Sequence, residues 1–140
     1  MKIRCLVDVI DSTQRLELRN WSNGSELELT KDKIYVVLAI SKFEDIFYYY
    51  IIGDETANYP LPFPIELFEV IDDRISKYWD CKLNNLLSLN DLNLKNDGVV
   101  SFSEWTLEKN FFYEKILEGD SRTLKLFDFY VDKMTKEYLS

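Results

Sequence analysis

The potentially reactive side chains of this sequence are the carboxylates of aspartate and glutamate, and many of them lie in one segment. Residues 44–80 hold nine aspartates and glutamates against two basic residues, and the whole chain of 140 residues has a formal net charge of −8. Adjacent carboxylates at 44–45, 54–55 and 72–73 could bind a metal ion or act as general acid and base. Neighbouring strand residues point to opposite faces, however, and each pair falls at a predicted strand end or turn. We therefore expect solvated carboxylates there.

The residue types that are missing restrict the chemistry further. The chain has no histidine, which removes the commonest general base and the commonest transition-metal ligand. Ser–His and Cys–His nucleophile pairs are therefore excluded. Cys5 and Cys81 lie far apart in the sequence, and we expect reduced core thiols rather than a disulfide. Because the carboxylates form no catalytic constellation, we predict a protein that is not an enzyme and needs no cofactor.

The acidic segment, residues 44–80, is also rich in aromatic residues, which favours a docking face for a basic protein. A solvated acidic rim without a partner is the alternative. The sequence pI of about 4.6 argues against nucleic acid as the main partner, because phosphate contacts need a basic face. The residues expected to contact the partner are Glu44, Asp45, Asp54, Glu55, Asp72 and Asp73, with Tyr49 and Tyr59 as aromatic contacts.

A second candidate site lies at residues 93–104. Asp97, Gly98 and Glu104 match the second half of an EF-hand loop, so Asp97 and Glu104 are weak candidates for calcium ligands. Asn93 and Lys95 stand where that loop places its first ligands, and the lysine ammonium would replace an oxygen ligand. A turn at residues 96–98 followed by a capped helix explains the same residues. A calcium-responsive structural domain is therefore the alternative function.

The first 83 residues are predicted to form short β-strands. Residues 2–9 alternate apolar and polar side chains, and Asn23-Gly24 marks a hairpin turn between two further alternating runs. Two β-branched runs, residues 33–41 and 46–52, are expected to pair as an antiparallel hairpin. An extended segment then contains Pro60, Pro62 and Pro64. Further strands are predicted at residues 65–71 and 76–83, which together favour a small, strongly bent barrel.

The last part of the chain has helical periodicity. Ser101 and Glu104 have the spacing of a capping box, which predicts one helix from there to residue 117 or 118. Gly119 should end that helix, and Asp120 or Ser121 should cap a second one. Apolar residues of the second helix recur at intervals of three and four, at Leu124, Phe127, Val131, Met134 and Tyr138. These two helices predict a helical hairpin.

The expected fold class is α+β, with a β-barrel at residues 1–83 and a connector with two helices at residues 84–140. Both parts are expected to form a single compact domain. No apolar run approaches the ~20 residues that a membrane span needs, and the N-terminal residues lack the features of a signal peptide. We therefore expect no membrane association and a cytoplasmic location.

Three stretches occur in order: LTKDKIYVVLAI, FYYYIIGDE and YPLPFPIELFEVID. Their succession resembles bacterial SH3-like small barrels over about residues 27–73, although Asp32 stands where such barrels often place glycine. The paired tryptophans and ALYDY-like stretch of eukaryotic members are absent from the sequence, so recognition of proline-rich ligands is not implied. Acidic bacterial proteins with such a barrel and a helical extension resemble toxin-immunity proteins. That resemblance implies a basic toxin partner, such as a nuclease domain; an uncharacterised bacterial adaptor is the alternative.

Overall fold

The computed structural model describes residues 1–6, 29–54, 59–80, 94 and 96–137. The predicted hairpin turn at Asn23-Gly24, as well as Cys81, lies outside these residues. Within them the elements are β1 (Lys2–Cys5), β2 (Ile34–Val36), β3 (Ala39–Phe43), β4 (Ile46–Ile51), β5 (Leu61–Pro64), a 3₁₀ turn (Ile65–Leu67), β6 (Phe68–Asp72), β7 (Val99–Val100), α1 (Ser103–Glu108), α2 (Asn110–Glu118) and α3 (Ser121–Lys136). The α+β class is confirmed.

The strands form two antiparallel sheets. Sheet 1 has the order β2-β1-β6 and sheet 2 the order β5-β4-β3-β7. Strand pairing in the described residues stays within each sheet, so the expected closed barrel is not formed by these strands. The inner faces of the sheets meet through Phe68 of sheet 1, whose ring lies 5.9 Å from that of Tyr49 and 6.4 Å from that of Phe63.

The predicted strand at residues 33–41 is divided between the two sheets. Residues 34–36 pair with β1, whereas residues 39–43 pair with β4. Between them, Val37 donates its N–H to the Met1 carbonyl of sheet 1, and Leu38 donates to the Tyr50 carbonyl of sheet 2. A strand that bends from one sheet to the other satisfies its backbone groups at the corner in this way.

The hairpin between residues 33–41 and 46–52 is confirmed, with a tighter turn than expected. Phe43 and Ile46 are paired, so only Glu44 and Asp45 form the turn. Both residues have positive φ, 50° and 65°, as a two-residue type I′ turn requires. Side chains other than glycine, asparagine and aspartate adopt this conformation at a cost, which makes Glu44 a strained position of the turn.

The predicted strand at residues 76–83 is wrong over its described part. Residues 76–80 contribute only an isolated bridge between Trp79 and Phe102, and residues 81–83 lie outside the described residues. Sheet 2 instead gains β7, which the sequence did not indicate, at the free edge of β3. The C-terminal part of the chain therefore adds a strand to the sheet as well as helices.

The first predicted helix is two helices, α1 and α2, and its capping box is wrong. Phe102 is the N-cap residue, while the Ser101 hydroxyl donates to the Leu38 carbonyl at 2.6 Å. The break falls at Lys109, whose φ of 53° and ψ of −129° are incompatible with a continuous helix. Trp105 and Phe112 flank this break, and both are buried with their rings stacked 5.5 Å apart.

The end of α2 and the start of α3 are as predicted. Gly119 ends α2 in the left-handed conformation with φ of 79°, which glycine adopts without steric cost. The Asp120 carboxylate accepts the Thr123 N–H at 3.0 Å and caps α3. Of the predicted stripe on α3, Phe127 and Met134 are fully buried, and Tyr138 lies outside the described residues. Among the helices that the structure describes, none combines the length and apolar character of a membrane span.

Candidate functional site

The acidic residues predicted to bind a partner occupy three separate places. Glu44 and Asp45 form the tip of the β3–β4 hairpin, at one end of sheet 2. Asp54 contacts Lys33, beside the Arg4–Ile34 end of the β1–β2 pair, whereas Asp72 pairs with Lys2 at the opposite end of β1. The expected single acidic face is therefore not assembled by these residues. Glu55 lies outside the described residues.

Asp54 is engaged by the chain's own donors. Its carboxylate accepts hydrogen bonds from Lys33 Nζ at 2.7 Å, from the Tyr35 hydroxyl at 3.0 Å and from the Thr30 hydroxyl. Desolvation raises the pKa of Asp54, but the hydrogen bonds from Lys33, Thr30 and Tyr35 outweigh it, so the pKa is lowered overall. This carboxylate holds the start of β2 to the loop after β4, which is a structural role.

Asp72 is also neutralised internally. The Arg74 guanidinium donates to its carboxylate from Nε at 2.9 Å and from Nη2 at 2.6 Å, and the Arg74 N–H donates at 3.1 Å. These bonds hold the pKa of Asp72 far below its usual range, against some desolvation. Glu69 is bound by Arg4 on the same sheet. Asp73, next to Asp72, is exposed at the end of β6.

The pairing of Asp72 with Arg74 predicts a dependence of stability on pH. A carboxyl group whose pKa is lower in the folded state stabilises above its unfolded pKa of about 4, and loses that contribution as pH falls. We expect Asp72→Asn to lower the free energy of unfolding by about 1 kcal/mol at pH 7, and by much less at pH 2. Urea unfolding between pH 7 and pH 2 measures both curves, which should converge as pH falls. Asp73→Asn is the matched control, and a constant offset between the Asp72→Asn and wild-type curves would contradict the ion pair.

Neither of the two tyrosines predicted to contact a partner, Tyr49 and Tyr59, is fully exposed. Tyr49 is buried with 2% relative exposure, and burial raises its pKa to about 12. Because strand alternation points Tyr49 to the interface between the sheets, the prediction that it touches a partner is corrected. Tyr59 is partly buried against the core.

The residues of the calcium hypothesis have other partners in this structure. Asp97 lies in a turn with φ of 67°, and its N–H donates to the Lys42 carbonyl at 2.8 Å. Glu104 accepts hydrogen bonds from the Tyr130 hydroxyl at 3.1 Å and the Ser103 hydroxyl at 2.8 Å. Among the described residues no group of three or more acidic or cysteine side chains is arranged to hold a metal ion. Residues 96–97 form a turn, as the alternative expected, but β7 separates this turn from α1, which has no side-chain cap.

A cleft of about 450 Å³ opens on the outer face of sheet 2. The helices cover part of this face, where Ala39 is fully buried and the Tyr50 ring lies 5.0 Å from that of Trp105. Strand pairing places Ser41 opposite Tyr48, and Tyr50 opposite both Ala39 and Pro62, so these side chains share the outer face. The cleft lies beyond the helical cover. Its lining residues are Ser41, Lys42, Phe43, Tyr48, Tyr50, Pro62, Asp97, Val99 and Asn110.

The floor of this cleft is held rigidly. The Tyr50 ring packs against both Trp105 and Tyr113, and its phenol shares a hydrogen bond with Ser41. The Tyr113 hydroxyl donates to the Pro60 carbonyl at 2.9 Å, which fixes α2 to the start of β5. Burial raises the pKa of Tyr50 and of Tyr113, so both phenols stay neutral at physiological pH.

The acidic hairpin tip directly follows Phe43, which lines the cleft. The Asp45 N–H donates to Asn96 Oδ1 at 3.2 Å, which joins the 44–45 turn to the 96–97 turn. We define the acidic rim as Glu44, Asp45 and Asp97, all three of which are exposed. The Asp45 side chain is 85% exposed, and its carboxylate lies 3.9 Å from Lys42 Nζ. The acidic rim therefore combines two predicted residues with one that comes from outside residues 44–80.

The cleft itself was not predicted, although one signal was present. Alternation along residues 46–51 separates Tyr48 and Tyr50 from Tyr49, and the structure uses that separation to form an inner and an outer face. Which face remains accessible depends on the position of α1 and α2.

Comparisons with protein-family models, with curated proteins and with solved structures find no match to this chain.

Proposed function

We propose that this chain is a non-enzymatic module that binds a basic protein through the acidic rim and the adjoining cleft. The observation that carries this proposal is the position of exposed carboxylates beside an aromatic-lined cleft of about 450 Å³. Its volume lies within the ~300–1,000 Å³ that binding pockets usually have. Aromatic side chains next to a charged border are the usual composition of a protein-binding hot spot.

The overall charge supports a basic partner. The chain has a formal net charge of −8, so its field attracts cations and repels nucleic acid over a Debye length of ~8 Å at physiological salt. At close range, Asp54 and Asp72 are already paired with Lys33 and Arg74. The contacts that fix the partner are assigned to the acidic rim, because its three residues are exposed and Asp97 lines the cleft.

The specific form of this proposal is an immunity protein that neutralises a basic nuclease toxin. Carboxylates of the acidic rim would occupy the part of the toxin that binds phosphates, after electrostatic steering of the encounter. An SH3-like small barrel is the fold that we propose for residues 1–83. The strand that bends between the sheets and the pairing of β1 with both β2 and β6 support that assignment. Fold alone does not carry a function, so the test concerns binding.

The immunity proposal predicts that a toxin with a basic nuclease domain is encoded beside the gene of this chain, and the test uses that domain. We expect the purified chain to inhibit that domain at a 1:1 ratio. We also expect Glu44→Gln, Asp45→Asn and Asp97→Asn together to slow association about tenfold at low salt, because they remove the steering charges. Stopped-flow association rates at two salt concentrations and a nuclease assay give both quantities.

The control variant removes the same charge elsewhere, with Asp73→Asn, Glu118→Gln and Asp128→Asn, three exposed positions. It should lower the association rate much less than the variant of the acidic rim. Equal losses from the two variants would mean that net charge alone attracts the partner. Full nuclease activity at a stoichiometric amount of the chain would contradict the immunity function.

A further inference from the structure

We propose that the cleft on sheet 2 receives an arginine side chain of the basic partner. This inference rests on the proposed function and names the group that the site recognises. Phe43, Tyr48, Tyr50 and Pro62 supply the apolar and aromatic part of the cleft, and Asp97 supplies a carboxylate at its border. A guanidinium can lie against aromatic rings while its N–H groups reach a carboxylate.

The exposed ring of Phe43 is the first element of this recognition. It is 51% exposed although it lies in β3, because its strand position points it to the outer face beyond the cover of the helices. Phe43 is followed directly by Glu44 and Asp45 of the acidic rim. The ring attracts a cation through its π face, and the carboxylates of the adjoining turn add the attraction of their charge.

Two positive features lie near the cleft, and their placement decides which charge the cleft favours. The Lys42 ammonium lies 3.9 Å from Asp45 and 5.6 Å from the centre of the Phe47 ring. Lys42 and Phe47 are paired across the strands, on the face opposite to Ser41 and Tyr48. The second feature is the first turn of α2 at Asn110, which carries partial positive charge. The Lys42 ammonium therefore lies over Phe47, away from the outer face, where the Asp97 carboxylate lines the cleft and outweighs the partial charge of the helix.

Arginine suits these surroundings better than lysine for a physical reason. Its guanidinium is planar and weakly hydrated, so it loses less hydration free energy when it stacks on a ring and can still donate several hydrogen bonds. A lysine ammonium is compact and strongly hydrated, and would remain in water beside the carboxylates. The fixed Tyr50 floor also avoids a cost of ordering the site on binding, because Tyr50 is already held by Trp105, Tyr113 and Ser41.

The experiment titrates the isotope-labelled full chain with three capped pentapeptides, Gly-Gly-X-Gly-Gly, in which X is arginine, lysine or citrulline. Ring resonances of Phe43, Tyr48 and Tyr50 in NMR spectra report occupancy of the cleft. We expect the arginine peptide to bind at least fivefold more tightly than the other two. Phe43→Leu, which keeps an apolar side chain but removes the ring, should weaken arginine binding about threefold.

Phe129→Leu is the matched control, since Phe129 is also 51% exposed but lies on α3. It should leave the arginine affinity unchanged. Asp45→Asn with Asp97→Asn should weaken arginine binding about fivefold, and asparagine tolerates the positive φ of both positions. Unfolding curves for each variant verify that the fold is retained.

The outcomes separate this inference from the proposed function. Equal affinities for arginine and lysine, lowered by the carboxylate changes but not by Phe43→Leu, would overturn the arginine cleft and leave the acidic rim as a charge-steering surface. No shift with either cationic peptide and no effect of the carboxylate changes on nuclease association would overturn both. A shift of the cleft resonances by phosphate alone would assign the site to an anion and overturn the arginine assignment.

Discussion

Replacing Trp105 with alanine is expected to lower the free energy of unfolding by about 3–5 kcal/mol, the usual cost of removing a buried aromatic side chain. Trp105 is fully buried, and its ring lies between the outer face of sheet 2 and the helices. Its contacts include Tyr50 at 5.0 Å, Phe112 at 5.5 Å and Phe127 at 6.3 Å. The substitution therefore opens a cavity where three elements meet.

Loss of Trp105 should also disturb the cleft, because Tyr50 forms the floor of the cleft and packs against the Trp105 ring. Urea unfolding measures the stability, and the Tyr50 resonances report the cleft. Phe111→Ala is the control on the neighbouring helix, where the side chain is 68% exposed, and it should change stability by less than about 0.5 kcal/mol. A Trp105→Ala variant as stable as the wild type would mean that the helices do not pack on sheet 2 as described.

Trp105→Phe separates the ring from its polar atom. The indole Nε1 of Trp105 is buried without a hydrogen-bond partner in the part of the chain that the structure describes. Phenylalanine keeps an aromatic ring at the junction and removes that donor, whose desolvation costs about 1–3 kcal/mol. We therefore expect Trp105→Phe to cost much less stability than Trp105→Ala.

Local sequence patterns predicted the elements better than their arrangement. Alternation and β-branching predicted the strands that became β1, β3 and β4, and glycine and aspartate at residues 119–120 predicted the helix boundary. The division of residues 33–41 was not predictable, because a continuous apolar run looks the same for one buried strand and for two. The break at Lys109 was not predictable either, since lysine is a good helix former and neither glycine nor proline is present there.

The acidic segment was evident from composition, but the positions of its carboxylates in the fold were not. Residues 44–80 are neighbours in the chain, yet they contribute strands to both sheets, which carries their carboxylates to different ends of the fold. Lys33, which pairs with Asp54, lies outside that segment, so no count within the segment could reveal the pairing. Asp97 lies 52 positions after Asp45 in the sequence. Its neighbour Asn96 accepts the Asp45 N–H, and this contact brings the two turns together.

The largest test of the proposed site changes the β3–β4 turn from Glu44-Asp45 to Asn-Gly. We expect this double substitution, Glu44→Asn with Asp45→Gly, to raise the free energy of unfolding by about 1–2 kcal/mol. Both positions have positive φ, 50° and 65°, and Asn-Gly is the pair that a type I′ turn favours most. Chemical unfolding measures the gain in stability.

The same substitution should weaken binding of a basic partner, because it removes two of the three carboxylates of the acidic rim. It also leaves the Lys42 ammonium without Asp45, which makes the hairpin tip less negative. We expect the association rate with the nuclease domain to fall about tenfold at low salt, with a smaller loss at high salt. Stability and binding should therefore change in opposite directions in a single variant.

Asp32→Gly is the matched control for this pair of effects. Asp32 also has a positive φ, 68°, and its N–H donates to the Cys5 carbonyl of sheet 1. Its replacement by glycine relieves the positive φ of a similar turn and removes one carboxylate, but it leaves the acidic rim intact. The free energy of unfolding should therefore rise slightly, and the association rate with the nuclease domain should stay unchanged. If the Asn-Gly turn gives no added stability, its positive-φ conformation is wrong; if it binds as the wild type does, the acidic rim is not the contact. A strained turn that carries charge where an uncharged pair would be more stable is the expected property of a turn used for binding.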